Sequence, residues 1–156
     1  MSIEKVRAYL QTKGYADKML EFSVSSATVE LAAQALGCEG CRIAKTLSFA
    51  VGDKVILIVA AGDAKIDNPK FKAQFATKAK MLPFAEVEEK VGHAAGGVCP
   101  FAVNDGVEVY LDVSLRRFET VYPAVGSSNS AIELTCEELE MLSTPVAWID
   151  VCKIAE

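Results

Sequence analysis

The chain has 156 residues, of which 51% are hydrophobic and 24% are charged, and it carries a formal net charge of −5 at pH 7. This length and composition predict one compact domain over residues 1–156, and they exclude a disordered or low-complexity chain. The negative net charge disfavours broad contact with nucleic-acid phosphates, so such a partner would need a local cluster of lysines and arginines.

The sequence contains no segment typical of a membrane or secreted protein. The longest apolar run, residues 55–61, is far shorter than the roughly 20 residues that a membrane-spanning helix requires. The N-terminus is charged from residue 4 onward and does not resemble a secretory signal. Five cysteines in such a chain fit a reducing compartment better than a disulfide framework. We therefore expect a cytoplasmic protein with no membrane partner.

The first half of the chain predicts two helices and a β-hairpin. In chain order, the periodicity predicts a helix over 2–13 with Ser2 as N-cap, a strand over 19–24, a helix over 26–37 and strands over 41–51 and 54–62. The two long strands meet at Gly52 and Asp53, a pair typical of the tight primed turns that join antiparallel strands. These strands should form the centre of a sheet.

The second half predicts further short elements. Asn68 followed by Pro69 is typical of a helix start, and that helix would turn Phe71 and Phe75 toward the core. The later elements are a helix over 85–92, a strand over 101–113 with a hairpin at 104–106, strands over 120–126 and 130–135, a helix whose capping box joins Thr135 to Glu138, and a final strand over 146–154. The fold class is therefore α+β, with a mixed, largely antiparallel, barrel-like sheet flanked by helices.

A lysine-rich stretch interrupts the acidic composition. Between residues 65 and 80 the chain carries five lysines against the single acid Asp67; they are Lys65, Lys70, Lys72, Lys78 and Lys80. Two interpretations remain open: a solvated helix face, or a local patch that contacts phosphates.

Cys38 and Cys41 form a Cys-x-x-Cys pair. A structural zinc site needs four ligands, and the chain has no second pair at comparable spacing. A thioredoxin-like pair follows a strand and opens a helix, whereas this pair follows a predicted helix and enters a predicted strand. A turn with two small thiols is the favoured interpretation over zinc or redox chemistry, and we expect neither a metal nor a cofactor.

Lys45 lies in an otherwise apolar predicted strand. Alternation places it on the same face as Ile43, Leu47 and Phe49. An ammonium group is rarely buried without a partner, so Lys45 must reach solvent with its tip, meet a carboxylate, or bind an anion at the mouth of a cleft. The pattern alone leaves these three possibilities open.

The loop "GHAAGGVCPF" offers a second candidate site. Gly96 and Gly97 would let backbone N–H groups approach an oxyanion or a phosphate closely, although a plain connection into a strand fits equally well. His93 is the single histidine, and we expect it at the surface, because nothing in the loop fixes a catalytic pairing with Cys99. The phase of Asp112 in its strand places it toward solvent or toward a pocket.

Four motifs in series resemble one known family. "AKTLSF", "GGVCPF", "VYLDVSL" and "VYPAVGSSNSAIEL", in this order and at these separations, resemble the YbaK/EbsC family, the stand-alone relatives of the editing domain of prolyl-tRNA synthetases. The resemblance covers residues 23–142. It implies a barrel-like mixed sheet and the hydrolysis of mischarged tRNA, in most branches tRNA for proline carrying Cys, Ala or another small amino acid such as Ser. The implied partners are the acceptor end of that tRNA and a prolyl-tRNA synthetase.

The resemblance also implies roles for individual residues. Lys45 would meet the phosphate or ribose of the terminal adenosine, and the loop from Gly96 to Pro100 would hold the ester carbonyl as it becomes an oxyanion. The catalytic set is thus Lys45, Gly96, Gly97, Val98 and Pro100, and the substrate-binding set is Thr28, Phe101, Asp112, Gly126 and Ser127. The chain departs from the family by having Ala124 and Ala131 where some members have a polar residue and an Asp near the pocket.

The chemistry fits a chain with one histidine and no catalytic triad. A synthetase pocket discriminates one methylene by only about 10- to 200-fold, so small amino acids require a second, hydrolytic site. An aminoacyl ester is already activated, and its hydrolysis needs an oriented water and oxyanion donors rather than a protein nucleophile. The alternative is a non-catalytic module that binds the 3′ end of aminoacyl-tRNA or a small nucleotide.

Overall fold

The computed structural model describes residues 2–22, 29–37, 39–94 and 97–154. Its helices are α1 (Ser2–Thr12), α2 (Val29–Leu36), α3 (Asn68–Phe75), α4 (Phe84–Val91) and α5 (Cys136–Ser143). Its strands are β1 (Met19–Glu21), β2 (Ile43–Val51), β3 (Lys54–Ala61), β4 (Ala64–Ile66), β5 (Glu108–Asp112), β6 (Thr120–Pro123), β7 (Ser130–Ile132), β8 (Leu134–Thr135), β9 (Ala147–Ile149) and β10 (Cys152–Ile154). Within the described ranges, no helix is long and apolar enough to cross a membrane.

A six-stranded sheet organises the fold. Its strand order is β8-β6-β2-β3-β5-β9, and it curls into half a barrel. Two small antiparallel sheets, β1-β7 and β4-β10, are separate from it. Strand β3 lies at the centre, and residues 56–61 of this strand are buried. The predicted α+β class with a mixed, curled sheet is confirmed.

The strand directions show how the sheet is connected. The predicted hairpin between β2 and β3 is confirmed, with Gly52 at φ +59° in the two-residue turn. Strand β3, however, pairs parallel with β5, and β5 pairs parallel with β9. Parallel neighbours need long crossovers, and here α3 and α4 lie in one crossover and α5 in the other. Hairpins therefore connect fewer strands than the sequence predicted.

Two predicted strands differ in the structure. The final strand over 146–154 is divided into β9 and β10, which belong to different sheets. The Val151 N–H between them donates to Asp112 Oδ1 (3.0 Å) instead of to a strand, which helps to divide them. The turn at 104–106 forms, with the Val107 N–H donating to Asn104 O (3.3 Å). Residues 97–103 form no strand, so this turn does not make the predicted hairpin.

The helix ends follow local chemistry. The predicted capping box of α5 is confirmed, with the Glu138 N–H donating to Thr135 Oγ1 (3.1 Å). Helix α3 begins one residue earlier than predicted, because Asp67 is its N-cap and accepts from the Lys70 N–H (3.1 Å). The predicted burial of Phe71 is confirmed. Its ring contacts Phe49 and Phe75 at centroid distances of 5.1 Å and 4.7 Å, which fixes α3 to β2.

Candidate active site

Lys45 is a half-buried cation whose described hydrogen-bond partner is a backbone carbonyl. Its Nζ donates to the backbone oxygen of Gly62 at 3.4 Å. No carboxylate of the described residues lies within 4.0 Å of Nζ. Burial lowers the pKa of Lys45, an effect partly offset by nearby Cys152 and Asp63. An ammonium has three donors, so this group retains the capacity to bind an anion.

Asp63, the acid that follows Gly62 in the chain, forms an ion pair with Arg117. The Arg117 guanidinium donates hydrogen bonds to both carboxylate oxygens of Asp63, with Nη1 at 3.1 Å from Oδ2. This pairing lowers the pKa of the Asp63 carboxyl. Arg117 is itself oriented by Ser114, whose backbone oxygen accepts from Nε at 2.9 Å. The pair holds the β3–β4 turn, which carries the acceptor of Lys45. Its partners lie 54 residues apart, so no local pattern in the sequence predicts it.

The Asp112 carboxylate accepts hydrogen bonds from two backbone N–H groups. This residue is buried, and its Oδ2 accepts from the Ser114 N–H at 2.9 Å while its Oδ1 accepts from the Val151 N–H at 3.0 Å. The hydroxyl of Ser114 accepts in turn from the Ala61 N–H at 3.1 Å. Oδ2 thus fixes the turn that follows β5, and Oδ1 joins the end of β5 to the segment before β10. Contact of Asp112 with substrate stays a prediction.

We expect Asp112→Ala to destabilise the protein by about 2 to 5 kcal/mol, because two buried N–H groups lose their acceptor. Asp112→Asn, which retains one acceptor oxygen, should cost less. Chemical denaturation of the two variants and the wild type measures both differences. A fully stable Asp112→Ala variant would contradict this structural role and would favour direct contact with a ligand.

The glycine-rich loop packs directly on a second loop. A Cβ added to buried Gly97 would lie 2.8 Å from Ser127 Cα and 3.0 Å from Gly126 C, so the two backbones are as close as glycine permits. The Gly97 N–H donates to Ala94 O at 2.9 Å. Within 97–154 and the other described ranges, no acceptor meets the N–H of Val98. Gly96 lies outside the described residues.

The second loop is tied down by its own side chains. Ser127 Oγ donates to Asn129 Oδ1 at 2.8 Å and lies 2.7 Å from Ser130 Oγ. The Asn129 amide donates to Phe22 O at 2.9 Å, and the Phe22 N–H donates back to Asn129 O at 2.8 Å. Gly126, at φ +104°, lets the chain turn just before this network. The predicted residue Thr28 lies outside the described residues, in the segment that follows Phe22.

The strand register brings Lys45 and these loops to one edge of the sheet. Strands β2 and β6 run parallel, and Ala44 faces Pro123 at the end of their pairing. The next residue of β2 is Lys45, while β6 continues into the loop that contains Gly126. Because Gly97 packs on that loop, the structure places Lys45 and both glycine loops at the same end of the β2–β6 pairing.

The remaining predicted residues lie in the interior. The Phe101 side chain is fully buried in the core, and Pro100 lines a cavity of about 210 Å³ with Tyr9 and Leu142. At the two positions where the chain departs from the family, Ala124 is half-buried and Ala131 is buried.

Cys38 lies outside the described residues, and Cys41 Sγ lies 3.6 Å from Glu39 Oε2. The interpretation of the Cys-x-x-Cys pair as a turn with two small thiols therefore stays a prediction.

His93 is buried, so the expectation of a surface histidine is wrong. Its Nε2 lies 2.7 Å from Phe101 O and 3.6 Å from Cys99 Sγ, while its Nδ1 has no hydrogen-bond partner among the residues that the structure describes. Burial lowers the pKa of His93 and raises the pKa of Cys99 to about 12. The two groups are therefore a neutral imidazole and a thiol, not an ion pair with a nucleophilic thiolate. They join the two ends of the glycine-rich loop through the Phe101 carbonyl.

This burial predicts a specific loss of stability in acid. Because the folded-state pKa of His93 is lowered below the ordinary value of about 6.5, the unfolded chain binds the proton more readily. The contribution is complete above about pH 6.5 and is lost as the pH falls from there toward the folded-state pKa. Urea denaturation across this window should show a smaller decline for His93→Gln than for the wild type. Identical declines would mean that other groups cause the acid sensitivity.

Comparison with known proteins identifies the family of this site. Residues 24–142 match the family described as the aminoacyl-tRNA editing domain. The chain is 56% identical to the uncharacterized protein YwhH of Bacillus subtilis (strain 168) over 154 residues, 98% of each chain. It is similar to the crystal structure of a proposed trans-editing enzyme for prolyl-tRNA synthetase, with a TM-score of 0.87 and 29% identity over 97% of both chains. The structure of hypothetical protein APE2540 gives a TM-score of 0.85 at 27% identity, covering 96% of this chain and 99% of that one. The chain therefore belongs to the aminoacyl-tRNA editing domain family, and its resemblance to the YbaK/EbsC proteins is confirmed.

Proposed function

We propose that the protein is a trans-acting aminoacyl-tRNA deacylase, with residues 1–156 acting as one editing domain. Its substrate is mischarged tRNA, and specifically tRNA for proline carrying a small amino acid such as Cys, Ala or Ser. The observation that carries the proposal is Lys45, a half-buried cation with a carbonyl partner and no carboxylate partner among the described residues. Such a group, beside two closely packed glycine loops, suits an anionic ligand.

Lys45 positions the substrate in this proposal. Its Nζ binds the phosphate or ribose of the terminal adenosine, and the Gly62 carbonyl keeps the ammonium in place from the protein side. A charge-assisted hydrogen bond of this kind is about twice as strong as a neutral one. The terminal nucleotide is thereby fixed with its ester at the glycine-rich loop.

The backbone of that loop stabilises the transition state. Water attacks the ester carbonyl carbon, and the carbonyl oxygen becomes negative while the loop N–H groups, beginning with that of Val98, donate to it. The bond between this carbon and the ribose oxygen then breaks, and the ribose oxygen takes the proton that the attacking water gives up. The products are the free amino acid and uncharged tRNA. The neighbouring ribose hydroxyl helps to orient the water.

A covalent intermediate on the protein has no support in the site. The thiol of Cys99 has its pKa raised to about 12 by burial, so it is not a thiolate at neutral pH. His93 is fully buried and bonded to the Phe101 carbonyl, so it has no path to a water at the ester. Direct attack by water is the mechanism that these surroundings favour.

The amino acid and the partners are inferred from relatives. A similar structure is described as a proposed trans-editing enzyme for prolyl-tRNA synthetase, and from it we infer the tRNA for proline and a prolyl-tRNA synthetase as the protein that supplies the mischarged substrate. The same inference places the protein in the cytoplasm. Because Ala124 and Ala131 stand where some family members have polar pocket residues, the small amino acid that is removed is to be identified by experiment.

The test is single-turnover deacylation of tRNA for proline charged separately with Pro, Ala, Cys and Ser. We expect rapid loss of at least one mischarged species and an unchanged lifetime of the Pro ester. Lifetimes equal to the uncatalysed ones for every mischarged species would contradict the proposal. An ester that lives longer in the presence of the protein, with measurable binding, would identify the non-catalytic binding module instead.

A further inference from the structure

Residues 78–84 form a fixed extension along one edge of β2. The Ala50 N–H donates to Lys80 O at 2.9 Å, and the Leu82 N–H donates to Ser48 O at 3.1 Å. Met81 forms a β-bridge with Phe49 between these two bonds. The Leu82 side chain is buried and anchors the segment. Its outward-facing side chains are therefore held in a defined place on the sheet.

The extension exposes two large apolar side chains. Phe84, the first residue of α4, is 81% exposed, and Met81 is 57% exposed. Side chains of this size are normally buried in a monomeric protein, and neighbouring exposed ones mark an interaction site. An aromatic ring this open presents its face to a ligand.

Two exposed lysines lie in the same segment. Lys78 and Lys80 are exposed, and no carboxylate among the described ranges lies within 4.0 Å of either ammonium. Glu86, the acid nearest in sequence, is paired with Lys90 at 2.7 Å. We call Lys78, Lys80, Met81 and Phe84 the 78–84 ridge. Its free positive charge is notable in a chain of net charge −5.

Cations beside an open aromatic ring match the chemistry of nucleic-acid strands. Phosphates pair with lysines, and a base of any identity stacks on an aromatic face. The position also fits, because the four residue steps of β2 from Lys45 to Phe49 span about 13 Å at about 3.3 Å each. That length is about four stacked nucleotides, which is the span along β2 from Lys45 to the position where Met81 of the ridge pairs with Phe49.

We propose that the 78–84 ridge binds the acceptor arm of tRNA, with Phe84 stacked on an unpaired base and Lys78 and Lys80 on phosphates. This inference rests on the proposed function for the identity of the RNA. It resolves the two interpretations of the lysine-rich stretch for these two lysines. It also explains how an acidic protein binds tRNA, since the phosphate contacts outside the active site are confined to one short segment.

The experiment measures binding of uncharged tRNA for proline by fluorescence anisotropy at several salt concentrations. Phe84→Leu, which keeps an apolar side chain but removes the ring, should weaken binding by at least about 5-fold, and Phe84→Tyr should bind like the wild type. Lys78→Gln with Lys80→Gln should reduce the slope of log affinity against log salt by about 2. The matched controls are Met141→Leu, another exposed apolar residue, and Lys13→Gln with Lys18→Gln, which should leave both quantities unchanged.

The outcomes separate this inference from the proposed function. Three results would contradict tRNA binding by the ridge. They are wild-type affinity and salt slope in all ridge variants, equally large effects in the control variants, and no tRNA binding by the wild type. A wild type that binds tRNA through the ridge yet hydrolyses no mischarged ester would instead overturn the deacylase proposal. Thermal unfolding of each variant checks that the fold is retained.

Discussion

Replacing Lys45 with Met is expected to lower the single-turnover rate of deacylation by about 10- to 150-fold, because a hydrogen bond to a charged group contributes about 1.5 to 3 kcal/mol. Methionine retains an apolar side chain of similar length, so the half-buried stem keeps its packing while the ammonium is lost. The measurement is the rate on the most sensitive mischarged tRNA, with thermal unfolding of the variant in parallel.

Lys65 on β4 provides the matched control. It is an exposed lysine whose charge acts on Lys45 but which has no described contact with the glycine loops. Lys65→Met should retain the wild-type rate within about 2- to 3-fold, as is usual for exposed charges. Equal losses in both variants would show that general positive charge, not the position of Lys45, supports the reaction.

The same lysine predicts the alkaline limit of the activity. Burial lowers the pKa of Lys45, so the active cation is lost as the pH rises through a value below the ordinary 10.4 or so. The groups acting on it are Cys152, Asp63, Lys65 and Glu30. Asp63→Asn removes a negative charge that favours the ammonium, so the alkaline decline should move to lower pH. The profile is measured after subtracting uncatalysed ester hydrolysis, and a decline unmoved by Asp63→Asn would contradict the assignment.

Features set by neighbouring residues were predictable from the sequence. The β2–β3 hairpin follows from alternation and the Gly52 turn, and the α5 capping box follows from Thr135 and Glu138 at fixed spacing. The apolar setting of Lys45 also followed from alternation. These features depend on a few adjacent residues, and the tertiary fold preserved them.

Features set by distant residues were not predictable. Asp112 takes the Val151 N–H from 39 residues away, and this single bond helps to divide the predicted final strand. The Asp63–Arg117 pair crosses 54 residues. The burial of His93 depends on the core around Phe101, which periodicity does not reveal. Within the site, the resemblance suggested roles for the Gly97 loop and for Gly126 and Ser127, but the close packing of these two loops on each other is visible only in the structure.

Gly97→Ala is expected to reduce the deacylation rate by about 100-fold or more, the effect of losing one oxyanion-hole donor. The new Cβ would lie 2.8 Å from Ser127 Cα and 2.9 Å from Ser127 N, and both are backbone atoms of a loop held by its own hydrogen bonds. The Gly97 loop must therefore move, and the N–H groups that follow it move away from the ester. The measurement is the single-turnover rate per folded molecule.

Gly106→Ala separates this effect from simple destabilisation. Gly106 has φ +89° and open space around its Cα, so alanine there should cost about 1 to 2 kcal/mol of backbone strain without touching the site. Its rate per folded molecule should equal that of the wild type, whereas Gly97→Ala should fold and still fail to hydrolyse the ester. If Gly97→Ala keeps the wild-type rate, the close packing of the two loops serves the fold alone, and the oxyanion donors must be sought elsewhere along the edge of β2.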